Sequence, residues 1–223
     1  MSRITAIVQA RMNSTRLPGK VMAEINGKPL IGYLLERLAR CPRLDVAVAC
    51  PQSDLHSPLG KYLLAGEHEV FFVAGDESDL VHRFVKVLRG LEAAMRLPKY
   101  FLRICADSPL LDPAVVQSGR VVDRDADSPY VWLGPRLPHG QQIERFSVQS
   151  FMRDADRIMG EAREHPGLHY GYNPAGVDEP TAFPSLAVDT REDFERIETI
   201  IGRMTRPHWH YGWRDCLDLL GAQ

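Results

Sequence analysis

Apolar runs of strand length alternate with helical patterns along most of this 223-residue chain. The strand-like runs are apolar throughout, so both of their faces are expected to be buried, as in a parallel sheet covered by helices. The alternation therefore predicts an α/β fold with a doubly wound, mostly parallel sheet. In chain order, the predicted strands are residues 4–8, 45–50, 69–75 and 99–107, and the predicted helices after them are 29–40, a weaker one near 55–65, 79–95 and 113–124.

The regularity changes after residue 127. Prolines and glycines separate possible strands over residues 128–147, and a helical pattern follows at 147–159, which indicates an excursion over the edge of the sheet. A last strand is predicted at 185–189, followed by a helix that Thr190 is suited to cap. A chain of this length can bury roughly 70% of its unfolded surface in one domain, so we predict a single domain over residues 1–223.

Charge and hydropathy restrict the class of protein. The formal net charge is -2, whereas nucleic-acid-binding domains usually carry a basic face, so no nucleic-acid partner is predicted. No apolar run approaches the length of a membrane span, and the first one is too short for a signal peptide and lacks a cleavage site. We therefore expect a cytoplasmic protein. The 4 cysteines form no C-x-x-C pair and are predicted to be buried and reduced.

A basic loop follows the first predicted strand. Its sequence, QARMNSTRLPGK at residues 9–20, contains no acidic residue, and the first acid of the chain is Glu24. Three cations in such a loop suit a polyphosphate, and hydroxyls and backbone amides of a turn add donors that can wrap a triphosphate. The alternative is a solvated basic loop without a ligand, and the residues alone leave both open. The polar side chains in question are Arg11, Ser14, Thr15, Arg16 and Lys20.

Two common phosphate-binding motifs do not fit. The segment NGKPL (26–30) has Pro29 after its lysine and Met22 where a Walker A loop needs its first glycine. A dinucleotide-binding fingerprint needs three glycines directly after the first strand, but the basic loop supplies only Gly19, at its far end. Hydride chemistry on a dinucleotide is therefore not predicted.

Two aspartates follow predicted strands. Asp107 ends the apolar run LRICA and Asp189 ends SLAV, so both are expected at the rim where ligands bind in open α/β sheets. Mg²⁺ takes one or two carboxylates together with phosphate oxygens and water, which such a rim would offer beside a triphosphate. The alternatives are a turn carboxylate for Asp107 and a helix cap for Asp189.

The basic loop also carries a family resemblance. QARMNSTRLPGKVM followed by NGKPLIGYLLERL resembles the start of the cytidylyltransferase family that includes CMP-KDO synthetase, and it is most similar to the branch of spore coat polysaccharide biosynthesis protein F. The resemblance implies a nucleotide-diphospho-sugar-transferase-like fold. It also implies transfer of CMP from CTP to a sugar acid with release of pyrophosphate, a Mg²⁺ cofactor, a role in surface polysaccharide biosynthesis and a homodimer. The further matching blocks are AGDESDLVHRF (74–84), ICADSPLLDP (104–113), LPHGQQIE (137–144), REH (163–165) and LAVDTREDF (186–194).

The resemblance also assigns roles to residues. It makes residues 1–127 the nucleotide-binding half, 128–184 the acceptor and edge excursion, and 185–223 the last strand, helix and aromatic tail. The implied catalytic residues are Arg11, Lys20 and Asp107, and the implied metal ligands are Asp107 and Asp189. The implied nucleotide contacts are Ala10, Arg11, Ser14, Arg16, Lys20, Asp79 and Arg83, and the implied acceptor contacts are Gln142, Glu144 and His165. Structural roles are the alternatives to these ligand contacts. Asp79 and Arg83 could equally form an i,i+4 ion pair on a helix face, and His165 could be a helix cap or a packed side chain.

The chain departs from that branch mainly on the acceptor side. Where the branch has T-G-D-C-P, this chain has Cys105-Ala106-Asp107-Ser108-Pro109, and where it has G-x-D-x-E, Gln142 replaces the aspartate. After REH, Pro166 and Gly167 stand in place of valine and threonine. The acceptor sugar therefore stays open.

Two other functions remain possible from the residues. A metal-dependent glycosyltransferase that uses a nucleotide-activated sugar has a similar architecture, and DRDAD (123–127) weakly imitates its D-x-D motif. The altered residues at 105, 106 and 142 also allow a degenerate protein that binds a nucleotide without catalysis. Retention of the basic loop and of both aspartates favours the enzyme.

Overall fold

A six-stranded mixed sheet lies at the centre of the protein. The computed structural model describes residues 4–66, 68–119, 128–172 and 183–221. The strands in these ranges are β1 (Ile4–Gln9), β2 (Glu24–Ile25), β3 (Lys28–Pro29), β4 (Leu44–Pro51), β5 (Glu69–Val73), β6 (Tyr100–Cys105), β7 (Tyr130–Leu133) and β8 (Ile143–Ser147). The main sheet has the order β5-β4-β1-β6-β8-β7, and β2 and β3 form a separate small hairpin. The four strands from β5 to β6 are parallel, whereas β8 and β7 are antiparallel to their neighbours.

Helices cover both faces of this sheet. They are α1 (Leu30–Ala39), α2 (Pro58–Ala65), α3 (Leu80–Ala93), α4 (Pro113–Ser118), α5 (Val148–Asp154), α6 (Arg191–Gly202) and α7 (Trp213–Gly221). Successive residues of β1 point to opposite faces. Ala6 and Val8 join the core under α1, α2, α4, α6 and α7, while Ile7 joins the core under α3 and α5. The predicted doubly wound, mostly parallel α/β sheet is confirmed.

The connectivity leaves a crevice beside β1. From β1 the chain adds β4 and β5 on one side and then crosses back to add β6 on the other. The carboxyl ends of β1 and β6 meet where the amide of Ala106 donates to the carbonyl of Gln9 at 3.0 Å. Such a reversal of strand order is where ligands bind in open α/β sheets.

Two predicted helices are shorter than their patterns. The helix predicted at 147–159 ends at Asp154, where the chain turns and the amide of Arg157 donates to the carbonyl of Asp154 at 2.7 Å. The helix predicted at 113–124 ends at Ser118, and residues 120–127 lie outside the described residues. The DRDAD segment at 123–127 lies there as well.

The last predicted strand, residues 185–189, is wrong. β8 already pairs with β6 from Arg103 to Tyr100, so that edge of the parallel sheet is occupied. The segment instead crosses the rim without forming a strand, and the amide of Val188 donates to the carbonyl of Asp107 at 2.8 Å. Its apolar residues are buried by this crossing, which is why their pattern resembles a buried strand.

The aromatic tail at 208–213 packs on the core through a buried arginine. Arg37 of α1 has 0% exposure and donates to the carbonyls of Leu111 at 2.8 Å, of Tyr211 at 2.7 Å and of His208. Tyr211 and Trp213 are themselves buried. None of the described helices combines the length and the apolar character needed to cross a membrane.

Candidate functional site

A cavity of about 480 Å³ opens at the carboxyl ends of β1 and β6. Small-molecule sites commonly enclose about 300–1,000 Å³. The basic loop forms one wall, and β7, β8 and the loop between them form the opposite wall. Of the residues implicated by the sequence, Ala10, Arg11, Ser14, Arg16, Lys20, Arg83, Asp107, Gln142, Glu144, His165 and Asp189 line this cavity.

The basic loop is folded back on itself. Gly19 adopts a left-handed conformation with φ of 72°, which favours glycine, and its amide donates to the carbonyl of Met12 at 2.9 Å. The amide of Met12 donates in turn to the carboxylate of Asp54 at 2.9 Å. Both bonds fix the turn, so that Lys20 begins a short 3₁₀ helix directed at the cavity.

Lys20 lies between the two aspartates of the rim. Its Nζ contacts Oδ2 of Asp107 at 2.7 Å and Oδ1 of Asp189 at 2.8 Å. Burial lowers the pKa of Lys20, but the charges and hydrogen bonds of both aspartates outweigh it and hold that pKa above its usual value. Burial likewise raises the pKa of Asp189, but Lys20 and Arg16 outweigh it and hold that pKa below its usual value. The two carboxylates therefore converge on one cation position.

The other two cations of the loop also have acidic partners. Arg16 contacts Oδ1 of Asp189 at 2.9 Å, although its side chain is mostly exposed. Arg11 contacts Oε1 of Glu164 at 2.8 Å and donates to the carbonyl of Glu77 at 3.3 Å. Each of the three cations of the loop is thus paired with a carboxylate from another part of the chain.

Arg83 approaches Arg11 from helix α3. It is buried and donates to the same carbonyl of Glu77, and no described residue accepts from its buried Nε. Burial and the charge of Arg11 lower the pKa of Arg83. Two guanidinium groups that share one carbonyl leave strong donor capacity directed at an anion or a polar ring.

Asp79 does not line the cavity, and its i,i+4 ion pair with Arg83 is not formed. It caps α3 by accepting from the amide of His82 at 2.8 Å, and it binds Arg163 at 2.6 Å. Arg163 lies directly before Glu164, so this ion pair fixes the segment that carries Glu164 and His165 into the cavity wall. Asp79 therefore affects the cavity only indirectly, by holding Arg163 and the segment that follows it.

The far end of the cavity contains a buried polar cluster. Arg103 of β6 donates to the side-chain carbonyl of Gln9 at 2.8 Å and forms an ion pair with Glu144 of β8. Tyr130 of β7 donates to the other carboxylate oxygen of Glu144 at 2.9 Å. Gln142 also lies at this wall, where its amide donates to the carbonyl of Leu137 at 3.1 Å. It lines the cavity and does not point away into solvent.

Cys105 lies on the cavity wall between Arg103 and Asp107. Burial raises the pKa of its thiol to about 12. The thiol therefore stays neutral at physiological pH and is not a thiolate nucleophile.

Gly167 allows a turn to pack directly on the polar cluster. A Cβ at this position would lie 2.2 Å from Oε1 of Glu144 and 2.9 Å from the hydroxyl of Tyr130. The residue belongs to the 3₁₀ turn Pro166–Tyr170. The Pro-Gly pair that follows the REH motif is therefore coupled in space to Glu144, a relation that the sequence does not reveal.

We expect Gly167→Ala to lower the free energy of unfolding by about 1–3 kcal/mol, since an added methyl group must displace the turn or the carboxylate of Glu144. Urea unfolding measures this loss. Gly202→Ala is the matched control, because that position in α6 has open space around it and is expected to change stability little. Equal effects at both glycines would contradict the tight packing at Gly167.

Several cavity residues were not predicted from the sequence. Arg103 had a local signal, because a charged side chain inside an otherwise apolar strand needs a buried partner. Gln9 and Glu164 lie within the family-like blocks QARMNSTRLPGKVM and REH, but their partners are reached only across the folded chain. Tyr130, which contacts Glu144 from β7, had no local signal.

The family follows from a comparison with known proteins. A sequence profile described as "Cytidylyltransferase" matches residues 5–133, which is more than half of the chain. The chain belongs to the cytidylyltransferase family. The part of this family member that the profile covers runs from β1 through β7.

This cytidylyltransferase-family protein is similar in sequence to a curated protein and in fold to two solved structures. The spore coat polysaccharide biosynthesis protein SpsF of Bacillus subtilis is 27% identical over 219 residues, covering 90% of this chain and 87% of that protein. A solved cytidylyltransferase from Leptospira borgpetersenii superposes with a TM-score of 0.80 at 21% identity, covering 99% of this chain and 94% of that one. A CMP:2-keto-3-deoxy-manno-octonic acid synthetase solved with CTP superposes with a TM-score of 0.64 at 17% identity, covering 90% and 99%. The two structures have the same fold as this chain.

Proposed function

We propose that this protein transfers CMP from CTP to a sugar acid and releases pyrophosphate, for the biosynthesis of a surface polysaccharide. The observation that carries the proposal is the position of Lys20. Its ammonium joins the basic loop to Asp107 and Asp189 in the cavity at the carboxyl ends of β1 and β6. The family membership of the chain supports the same reaction, and so does its structural similarity to a synthetase of a CMP-linked sugar acid that was solved with CTP.

In this proposal the two walls of the cavity bind different substrates. The wall formed by the basic loop and α3 takes the nucleotide, with Arg11, Ser14, Arg16 and Lys20 on the phosphates and Ala10 and Arg83 near the base and sugar. The wall formed by β7, β8 and the 163–172 segment takes the acceptor. The division of the chain into residues 1–127 and 128–184 stays a proposal, as do the homodimer and the cytoplasmic location.

Transfer of the cytidylyl group requires the acceptor hydroxyl in line with the α-phosphorus and the leaving pyrophosphate. The protein contributes mainly positioning and neutralisation of charge on the nonbridging oxygens. Lys20 and Arg11 are the groups proposed for that neutralisation. Both must exchange an acidic partner for a phosphate oxygen when the nucleotide binds.

The two aspartates fit a divalent cation. The ammonium of Lys20 already contacts both carboxylates, and no third acid, histidine or cysteine joins them into a ligand cluster in the described ranges. Mg²⁺ suits such a pair, because it completes its coordination with phosphate oxygens and water. When bound, the metal supplies neutralisation of phosphate charge. Asp107 and Asp189 would hold it.

CTP with Mg²⁺ is expected to raise the melting temperature more than ATP, GTP, UTP or UDP-sugars do. At about 100 times Kd, a ligand that binds only the folded state adds about 2.7 kcal/mol, which is about 5–10 °C for a chain of this size. A thermal-shift panel with and without Mg²⁺ measures this.

Two variants test whether the thermal shift by CTP depends on Lys20. Lys20→Met should abolish most of the CTP shift, whereas Lys61→Met, at an exposed position of α2, should retain it. A UDP-sugar that stabilises the protein more than CTP would instead favour the glycosyltransferase alternative.

A further inference from the structure

We propose that Arg103 binds the carboxylate of the acceptor, and that Glu144, Gln9 and Tyr130 hold its guanidinium in place for that contact. The inference rests on the proposed function. It adds the residue that recognises the acid group and gives Glu144 a positioning role in place of a direct contact.

Arg103 is held by two side chains and reaches the cavity with its remaining nitrogen. Its Nε donates to Gln9, its Nη1 contacts Glu144, and its side chain is 12% exposed, on the cavity side. Within the described ranges, no residue accepts a hydrogen bond from its Nη2. Burial lowers the pKa of Arg103, but the charge of Glu144 outweighs it and holds that pKa above its usual value, so the group is a permanent cation.

Both carboxylate oxygens of Glu144 already have partners within the protein. One carboxylate oxygen accepts from Tyr130 and the other accepts from Arg103. The 166–170 turn packs closely against the same carboxylate at Gly167, where a Cβ would lie 2.2 Å from Oε1 of Glu144. A carboxylate that is engaged at both oxygens is suited to orient the arginine.

Two side chains present free donors at this end of the cavity. Arg103 offers Nη2, and Gln9 offers its side-chain amide, since its carbonyl oxygen is already engaged by Arg103. Two such donors beside a guanidinium charge complement a group that only accepts, which a carboxylate is and a hydroxyl or an ammonium is not. This chemistry selects an acid over the corresponding neutral sugar.

The position of Arg103 also suits the acceptor and not the triphosphate. Every second residue from position 103 to position 107 lines the cavity, namely Arg103, Cys105 and Asp107. At about 3.3 Å per residue, the Cα atom of Arg103 lies roughly 7 Å along the strand before that of Cys105, the last residue of β6, and Asp107 follows in the turn beyond it. A sugar ring whose carboxylate meets Arg103 can therefore extend toward the phosphates bound near Lys20 and Asp107.

The test compares sugar acids with their own carboxamides on the wild type, Arg103→Lys and Arg103→Gln. The panel includes 3-deoxy-manno-octulosonate, and kcat/KM is scored by pyrophosphate release with CTP. In the wild type we expect the acid that is used to be preferred over its carboxamide by about 10- to 100-fold, the usual contribution of a hydrogen bond to a charged group. This preference should largely disappear in Arg103→Gln through a higher acceptor KM, and Arg103→Lys should restore part of it.

Three controls make the result decisive. Arg136→Gln, an exposed change on the loop between β7 and β8, should keep the full preference. The thermal shift by CTP with Mg²⁺ should be the same in the Arg103 variants as in the wild type, which also shows that they fold. Binding of each acid to the CTP-loaded protein, measured by a further thermal shift, provides a readout that does not depend on turnover.

Each contrary outcome has its own meaning. Loss of the CTP shift in Arg103→Lys would place Arg103 at the nucleotide and overturn the inference. An unchanged preference for the acid in Arg103→Gln would do the same, and so would binding of neutral sugars without binding of acids. Acids that bind through Arg103 without any pyrophosphate release would support the inference and refute the proposed transfer reaction.

Discussion

Asp107→Asn is expected to leave the fold intact and to lower turnover by at least about 100-fold, the scale observed when one preorganised electrostatic contact to a transition state is removed. Asp107 lies at the end of the buried strand β6, and its carboxylate contacts Lys20 at 2.7 Å. The amide of asparagine keeps the size of the side chain but removes the charge on which a metal and the lysine both depend.

The measurement is kcat with saturating CTP, acceptor and Mg²⁺, together with the melting temperature of each variant. Asp156→Asn, at an exposed position after α5, is the matched control and should be unaffected. Near wild-type turnover in Asp107→Asn would make Asp107 a turn residue and would move the metal elsewhere.

Arg37→Met is expected to lower the free energy of unfolding by about 3–5 kcal/mol, because it leaves three buried carbonyl groups without their charged donor. These carbonyls belong to the connection before α4 and to the C-terminal tail, so the variant disconnects both from α1. Denaturant unfolding can be followed by tryptophan fluorescence, since two of the three tryptophans, Trp209 and Trp213, lie in the tail.

Arg40→Met provides the comparison from the same helix end. Arg40 is exposed and lies 4.3 Å from the ring of Trp209, a contact that contributes about 0.5–1 kcal/mol at an exposed site. A loss of less than about 1 kcal/mol in Arg37→Met would contradict the view that this arginine fastens the tail.

Local sequence patterns predicted most strands of the sheet and the helices that pack on its two faces. The strands β1, β4, β5 and β6 and the long helices carry their own periodicity, so each is visible without its neighbours. The basic loop was also visible, because its three cations lie within ten residues of one another and no acidic residue lies among them. The location of Asp107 beside the carboxyl end of β6 followed from the same strand pattern.

Contacts across the fold could not be predicted in this way. The segment at 185–189 has the composition of a strand, but whether it joins the sheet depends on β8 occupying the edge of β6 first. Arg103 faces Glu144 only because β8 is antiparallel to β6, and Asp79 meets Arg163 across 84 positions of the chain. Pairings of this kind are set by topology and not by local composition.

The acidic partners of the basic loop have a consequence for how a nucleotide enters. Arg11, Arg16 and Lys20 are each matched to a carboxylate from a distant part of the chain, so the protein supplies its own counter-ions. Arrival of a triphosphate is then an exchange in which phosphate oxygens replace carboxylates, and the net attraction is the difference between two sets of ion pairs. Added salt weakens both sets, so affinity is expected to depend on ionic strength less steeply than three bare cations would suggest. A metal ion that arrives with the nucleotide would neutralise the carboxylates that Lys20 releases, which makes the joint arrival of metal and triphosphate more favourable than that of either alone.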